Sequence, residues 1–343
     1  MTNRHESTLI RLLTAVGSEE EAAALVRTVK VSPFILGRVG DDVPRAVLAQ
    51  ALNLLLFRDL LTRVPTGRSY VDDCIAQGRQ IVFDHGALRT VAMRGMGNLP
   101  AGEAAITRVL LPLGYRMSHV YPLDRLGMTG RSYTHADFPE ELPQFFVSEL
   151  HPERFSPQFQ EAVRRVTGAS RDPLTTPALH WLRDVEVRGA LAFEEAVALL
   201  PVLLACFQRQ HANPSWSDYE ILRAESAEMA WIATEGNVFN HATDRVASLE
   251  YVVDGQRRLN RPMKDTIEVS RSGRVRQTAF RADQVEREFV GADGGVVRRA
   301  VPGSFYEFIQ RERMRDGATG HWRLDLAFDS SNAQGIFKMT AAA

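Results

Sequence analysis

One seven-residue pattern occurs twice in this chain, and it limits the possible folds more than any other feature. Phe83-Asp84-His85-Gly86-Ala87-Leu88-Arg89 and Phe239-Asn240-His241-Ala242-Thr243-Asp244-Arg245 both read F-[D/N]-H-x-x-x-R, with the histidines 156 positions apart. A second pair lies downstream at almost the same offset, 158: Glu149 closes Phe145-Phe146-Val147-Ser148-Glu149, and Glu307 sits within Ser304-Phe305-Tyr306-Glu307-Phe308. Self-similarity in a common register is the mark of a duplicated structural unit. Each unit would offer a His on its first strand and a Glu on its last, 64 positions apart in the first (85 to 149) and 66 in the second (241 to 307).

The segments around the repeat divide the chain. Residues 1–79 read as a helical cap, with Leu9, Leu12, Leu13 and Val16 at helical spacing and Val43–Leu61 as a mostly buried helix. Residues 80–152 run strand, helix, strand, strand, strand. Residues 153–235 return to helix, broken at Pro173, Pro177 and Asn213-Pro214. Residues 236–343 repeat the strand-rich order, with turns at Ser272-Gly273 and Asp293-Gly294-Gly295. The expected class is α+β, two βαβββ modules forming a central open barrel decorated by helices.

Composition narrows the function class. With 41 Lys and Arg against 42 Asp and Glu the net charge is -1, which argues against a strongly basic nucleic-acid binder. Cys74 and Cys206 are too few for a disulfide framework or a Cys-rich zinc site. The longest apolar run, Ala196–Phe207, falls short of the roughly 20 residues a bilayer span needs. No secretion signal is read at the start, so the expected compartment is the cytoplasm, with no membrane partner. The oligomeric state is not legible.

Two half-barrels related by a pseudo-twofold would bring first and last strands into one cavity. Two neutral imidazoles and one carboxylate on one face of a divalent metal make the 2-His-1-carboxylate arrangement, which leaves positions open for substrate and oxygen. The expected ligands are His85, His241 and Glu307. Glu307 is preferred to Glu149 because Leu150-His151-Pro152-Glu153 makes a polar turn where a solvated or supporting carboxylate also fits. Arg89 and Arg245 lie four residues beyond the histidines, an even offset that puts them on the same strand face. Guanidinium cannot ligate a metal but forks onto a carboxylate. Arg89 is the better clamp because Gly86 and Ala87 would leave room for a ligand. Asp84 neighbours His85, but strand alternation turns it to the other face. His119, His135, His151, His180 and His321 have no partner in the repeat register. Neither a G-x-G-x-x-G nor a P-loop is present.

The stretches VFDHGALRTV, HADFPEELPQFFVSELHPERFS, GNVFNHATDRV, VRQTAF and VPGSFYEFIQR resemble the 2-oxoadipate dioxygenase/decarboxylase family, also called 2-hydroxyglutarate synthases, over most of residues 5–312. The resemblance implies a decorated vicinal-oxygen-chelate fold. It implies Fe(II) held by His85, His241 and Glu307, and Arg89 on the distal carboxylate of the substrate. It further implies conversion of 2-oxoadipate and O2 to D-2-hydroxyglutarate and CO2, a step of lysine catabolism. Gln277 and Arg245 are further expected substrate contacts, and Ser330–Phe337 a lid. Two departures bear on the substrate rather than the metal. The second motif reads NHATDR, where a more apolar or Pro-containing run is expected, and only 36 residues follow Glu307. Other readings of the same site are a metal-dependent dioxygenase, lyase or isomerase on another 2-oxo acid, and a non-catalytic dicarboxylate sensor.

Overall fold

The computed structural model describes residues 6–317 and 320–329. Its centre is one curled eight-stranded sheet. We number its strands β1 (Phe83–Val91), β2 (Tyr115–Leu123), β3 (Met128–His135), β4 (Gln144–Leu150), β5 (Phe239–Arg245), β6 (Glu268–Val269), β7 (Val275–Ala279) and β8 (Phe305–Arg311). The spatial order is β2-β3-β4-β1-β5-β8-β7-β6. In each half the first strand pairs in parallel with its own last strand, β1 with β4 and β5 with β8. The halves meet at the antiparallel pair β1 and β5, which makes the sheet continuous. The class is the mixed α+β architecture expected from the repeat.

The register places the pseudo-twofold. His85 lies opposite Thr243 and Ala87 opposite His241, symmetric about the pair Gly86 and Ala242. Across the parallel pairs, His85 lies beside Gln144 and Ala87 beside Phe146, while His241 lies beside Phe305 and Thr243 beside Glu307. The counterpart of Glu307 in the first half is therefore Phe146. The sequence match between Glu149 and Glu307 is a false register: the structural offset is 161 (146 to 307) and not 158. An aromatic strand followed by a carboxylate does not specify which residue pairs with which, and a shift by an odd number of residues reverses the face.

The convex face carries the main apolar core and the N-terminal helices, while part of the inserted helices packs on Val91 and Leu150 at one end of the sheet. All nine residues of β1 are buried, as a strand covered on both sides requires. Phe145 and Val147 of β4 and Tyr306 and Phe308 of β8 join the main core there. The helix Arg45–Arg63 is buried nearly all round and sets Phe57 5.0 Å from Phe83 and 6.3 Å from Tyr306. The short strands Asp42–Pro44 and Ala190–Ala192 pair, tying the N-terminal helices to the helices inserted between β4 and β5. Four of those five inserted helices begin at side-chain caps, Ser156, Thr175, Ser215 and Ser226, each accepting from a backbone N–H of the first turn; the fifth, Phe193–Ala205, follows Ala192 directly. The alternate residues, His85, Ala87 and Arg89 on β1 and Phe305, Glu307 and Ile309 on β8, face the concavity.

The segments Gln284–Val290 and Val296–Pro302 form a separate two-stranded hairpin. It stands off the sheet between β7 and β8, with Phe289 packed 5.0 Å from both Trp216 and Tyr219.

Candidate metal centre

The two imidazoles reach one another because their strands are adjacent and antiparallel about the pseudo-twofold. Their rings lie 5.5 Å apart and nearly perpendicular. Glu307 reaches the same point from β8, on the far side of β5. Its Oε2 is 3.3 Å from His85 Nε2 and 3.5 Å from His241 Nε2. The three side chains are buried, and among the described residues they form the single group of His, Cys, Asp or Glu able to hold a metal ion. Separations near 3 Å suit donors that share one ion at bond lengths of about 2.0–2.2 Å.

Hydrogen bonding shows which atoms are left for an ion. Glu307 Oε2 accepts from Thr243 Oγ1 at 2.6 Å, while its Oε1 is buried with no hydrogen-bond partner. A buried carboxylate oxygen left so is costly, and a cation removes the cost. His85 Nδ1 lies 2.9 Å from Asp84 Oδ1, so its Nε2 faces the cluster. His241 Nδ1 lies 3.0 Å from the Asn240 amide, whose Oδ1 has no other partner and can accept the Nδ1–H after a rotation. Each half thus uses the [D/N] of its motif to hold the outer nitrogen of its histidine, the arrangement that fixes tautomer and ring orientation at metal sites.

Asp84 contradicts the alternation argument. A register irregularity between Phe83 and His85 lets it share the side of His85. There it also receives Arg311, whose Nε and Nη2 lie 2.9 Å from its oxygens. Burial alone would raise the Asp84 pKa, but the Arg311 charge and the His85 bond hold it well below the usual carboxylate range. Burial pushes His241 down to about 3, which keeps it neutral with a lone pair to give. Burial opposes charge on His85 too, yet Asp84 and Glu307 outweigh it and raise the pKa. Glu307 is held ionised against burial by the histidines and Thr243. A neutral imidazole at His241 and an ionised carboxylate at Glu307 fit a divalent cation, whose own charge would displace the proton that Asp84 and Glu307 favour on His85.

The other expected residues separate. Arg89 is fully buried, and its guanidinium lies 4.9 Å from the Trp231 ring. Burial pushes its pKa down to about 10, partly countered by Glu228, so it stays charged near neutral pH. Gly86 makes no room for a ligand: a Cβ there would lie 2.3 Å from the Phe239 ring, so the missing side chain serves the convex core. Arg245 lies 3.8 Å from Asp84, and its Nη2 donates to the Glu140 carbonyl at 3.3 Å. Gln277 is buried on the concave face, 3.4 Å from Glu268. Glu149 lies on the convex side, accepting from the Glu103 N–H at 2.8 Å and pairing with Arg131, far from the ligand set.

The sequence reading did not single out Thr243, Asn240, Arg311, Gln144 or Phe328. The Phe328 ring lies 4.7 Å from His85, 5.1 Å from Phe146 and 4.9 Å from the Arg311 guanidinium. The strap 325–328 crosses the concave side, held by Arg311 donating to the carbonyls of Asp325 and Ala327, both at 2.8 Å. The expected lid at Ser330–Phe337 lies outside the described residues.

A sequence model of the 2-oxoadipate dioxygenase/decarboxylase family matches residues 57–338. The chain belongs to that family. A rice member, named 2-oxoadipate dioxygenase/decarboxylase and chloroplastic/amyloplastic, is 25% identical over 310 residues, 82% of this chain and 75% of that protein. Among solved structures, a glyoxalase superfamily protein of Ralstonia eutropha JMP134 is 55% identical with a TM-score of 0.87, covering 94% of this chain and 98% of its own. The rice hydroxyglutarate synthase, solved with 2-oxoadipate, shares the fold at 19% identity and a TM-score of 0.65, covering 89% and 96%. Among the described residues no helix is long and apolar enough to cross a membrane.

Proposed function

We propose that this chain is an Fe(II)-dependent dioxygenase/decarboxylase that converts 2-oxoadipate and O2 to D-2-hydroxyglutarate and CO2. The observation that carries the reading is the cluster of His85, His241 and Glu307, with Glu307 Oε1 unpaired in a buried site. Membership of the family supports it. One 2-oxoadipate and one O2 balance one 2-hydroxyglutarate and one CO2, so no external reductant is needed. The same reading puts the step in lysine catabolism, and the compartment in the cytoplasm.

Fe(II), held by His85, His241 and Glu307, would supply two-point attachment for the keto acid and the electrons for oxygen chemistry. The chain's own groups do the rest. Asp84 and Asn240 hold the outer imidazole nitrogens. Thr243 fixes Glu307 Oε2. Arg89, buried and charged, clamps the distal carboxylate of the substrate; a guanidinium fork on a carboxylate sets orientation, where much of the rate enhancement of such enzymes arises. Gln277 and Arg245 are proposed polar contacts on the same concave face. Phe328 shields His85 from water.

The test is anaerobic reconstitution with Fe(II), addition of 2-oxoadipate, then admission of oxygen with product analysis. We expect iron-dependent oxygen uptake matched one to one by CO2 and D-2-hydroxyglutarate. His85→Ala and Glu307→Gln should bind no stoichiometric iron and consume no oxygen. Uptake with another 2-oxo acid but not 2-oxoadipate would replace the substrate. Stoichiometric binding of a dicarboxylate without iron or turnover would leave a sensor.

A further inference from the structure

The three metal-facing donors come from β1, β5 and β8, and none comes from β4. By the pseudo-twofold, the β4 residue equivalent to Glu307 is Phe146, which has nothing to give a cation. The side of the centre toward β4 therefore supplies no protein donor to an ion. One polar side chain stands there. Gln144 is the register partner of His85 and is 1% exposed. It shares a strand face with Phe146, whose ring meets Tyr121 and Phe328 on the concave side, while Phe145 between them turns to the convex core. Both atoms of its carboxamide, Oε1 and Nε2, are buried without a hydrogen-bond partner. In the second half the matching position is Phe305, whose ring packs 4.8 Å from His241. Where one half walls its histidine with a phenyl ring, the other keeps an unsatisfied amide.

A polar side chain nine-tenths buried with no partner persists against its desolvation cost when a ligand completes it. The position says which part of the ligand. Gln144 lies in the row of His85; Arg89 lies four rows along β1, roughly 13 Å by strand rise. An elongated dicarboxylate would thus meet the amide at its metal-bound end and the guanidinium at the other.

We propose that Gln144 is a substrate-binding residue that reads the 2-oxo acid end, its Nε2–H donating to the carboxylate beside the keto group. Its Oε1 then faces the place where a 2-hydroxy acid product carries a hydroxyl donor. This rests on the metal-site reading above.

The test uses the anaerobic, Fe(II)-loaded protein and two probes, 2-oxoadipate and 2-oxohexanoate; the second has the same chain length and no distal carboxylate. Binding is measured by titration calorimetry for the wild type, Gln144→Leu and Gln144→Met. Loss of one hydrogen bond to a charged group predicts about tenfold to a hundredfold weaker binding of both probes by both variants. Iron content should be unchanged. The metal-free Gln144→Leu protein should melt no lower than the wild type, because an orphaned polar group has been removed; a structural glutamine would lower it. Unchanged affinities, loss for 2-oxoadipate alone, or loss of iron would each overturn the assignment. Wild-type protein that binds iron but neither probe would refute the functional reading itself, and this assignment with it.

Discussion

Asp84 accepts from His85 on one side and from Arg311 on the other. The [D/N]-H dipeptide that performs this role was visible in both copies of the motif, but the role was not, because strand alternation presumes an unbroken register. The irregularity between Phe83 and His85 has no sequence mark. The same limit explains the Glu149 match: a carboxylate was found at nearly the right offset, while the face it occupies depends on parity that the offset missed. The histidines and the two arginines stood out because such residues are rare on buried strands and these recur in register, whereas Glu307 stood out only through its match to Glu149, which the structure does not repeat. Replacing Asp84 by Asn keeps the shape but removes the charge that Arg311 and His85 share. We expect Asp84→Asn to weaken Fe(II) binding by about 10–100-fold, as loss of an outer partner of a ligating His does. Competition against a chelator measures it; affinity within twofold of wild type would show that Asp84 serves only Arg311.

At the scale of elements, helices were legible from periodicity and proline breaks, and strands from alternation, but pairing was not. Val285–Val290 and Val296–Val301 read as strands and are strands, yet their ladder is with each other and neither joins the eight-stranded sheet. Alternation specifies that a segment is extended, not which edge it joins. The central pair β1 and β5 shows how tightly the rest is specified. Gly86 sits at the pseudo-twofold, and the Phe239 ring occupies the volume its side chain would need. Gly86→Ala forces that ring, or the strand, to move in a close-packed core. The expected loss is about 1–3 kcal/mol in urea unfolding, typical of overpacking. Gly86→Ala combined with Phe239→Leu should lose less than the sum of the two single changes, since the smaller side chain relieves the clash. Strict additivity would place the strain elsewhere.

Across the whole molecule, a continuous set of contacts links the C-terminal strap to His85, one of the proposed metal ligands. Arg311 at the end of β8 holds the carbonyls of Asp325 and Ala327, stacks under Phe328, and grips Asp84, which holds His85. Arg274 adds a bond to Asp325 at 2.8 Å, and the backbone N–H of Phe328 donates to the Tyr121 hydroxyl at 3.0 Å. The sequence reading placed its expected lid at Ser330–Phe337 and did not single out 325–328, because what this strap covers depends on a sheet assembled from both halves. The strap borders a cavity of about 390 Å³ lined by His119, Arg271, Arg274 and Phe328 among others, so the ring separates the histidine from open space. Phe328→Ala removes the shield and leaves every ligand and the Arg311–Asp84 pair in place. Such a change should speed chelator-driven release of iron severalfold while shifting the unfolding midpoint little, because the ring is only partly buried. If release were unchanged, the strap would not limit access; if the midpoint fell steeply, Phe328 would belong to the core rather than to a cover. Faster release with an unchanged midpoint fits a cover that regulates exchange between the ligand set and solvent.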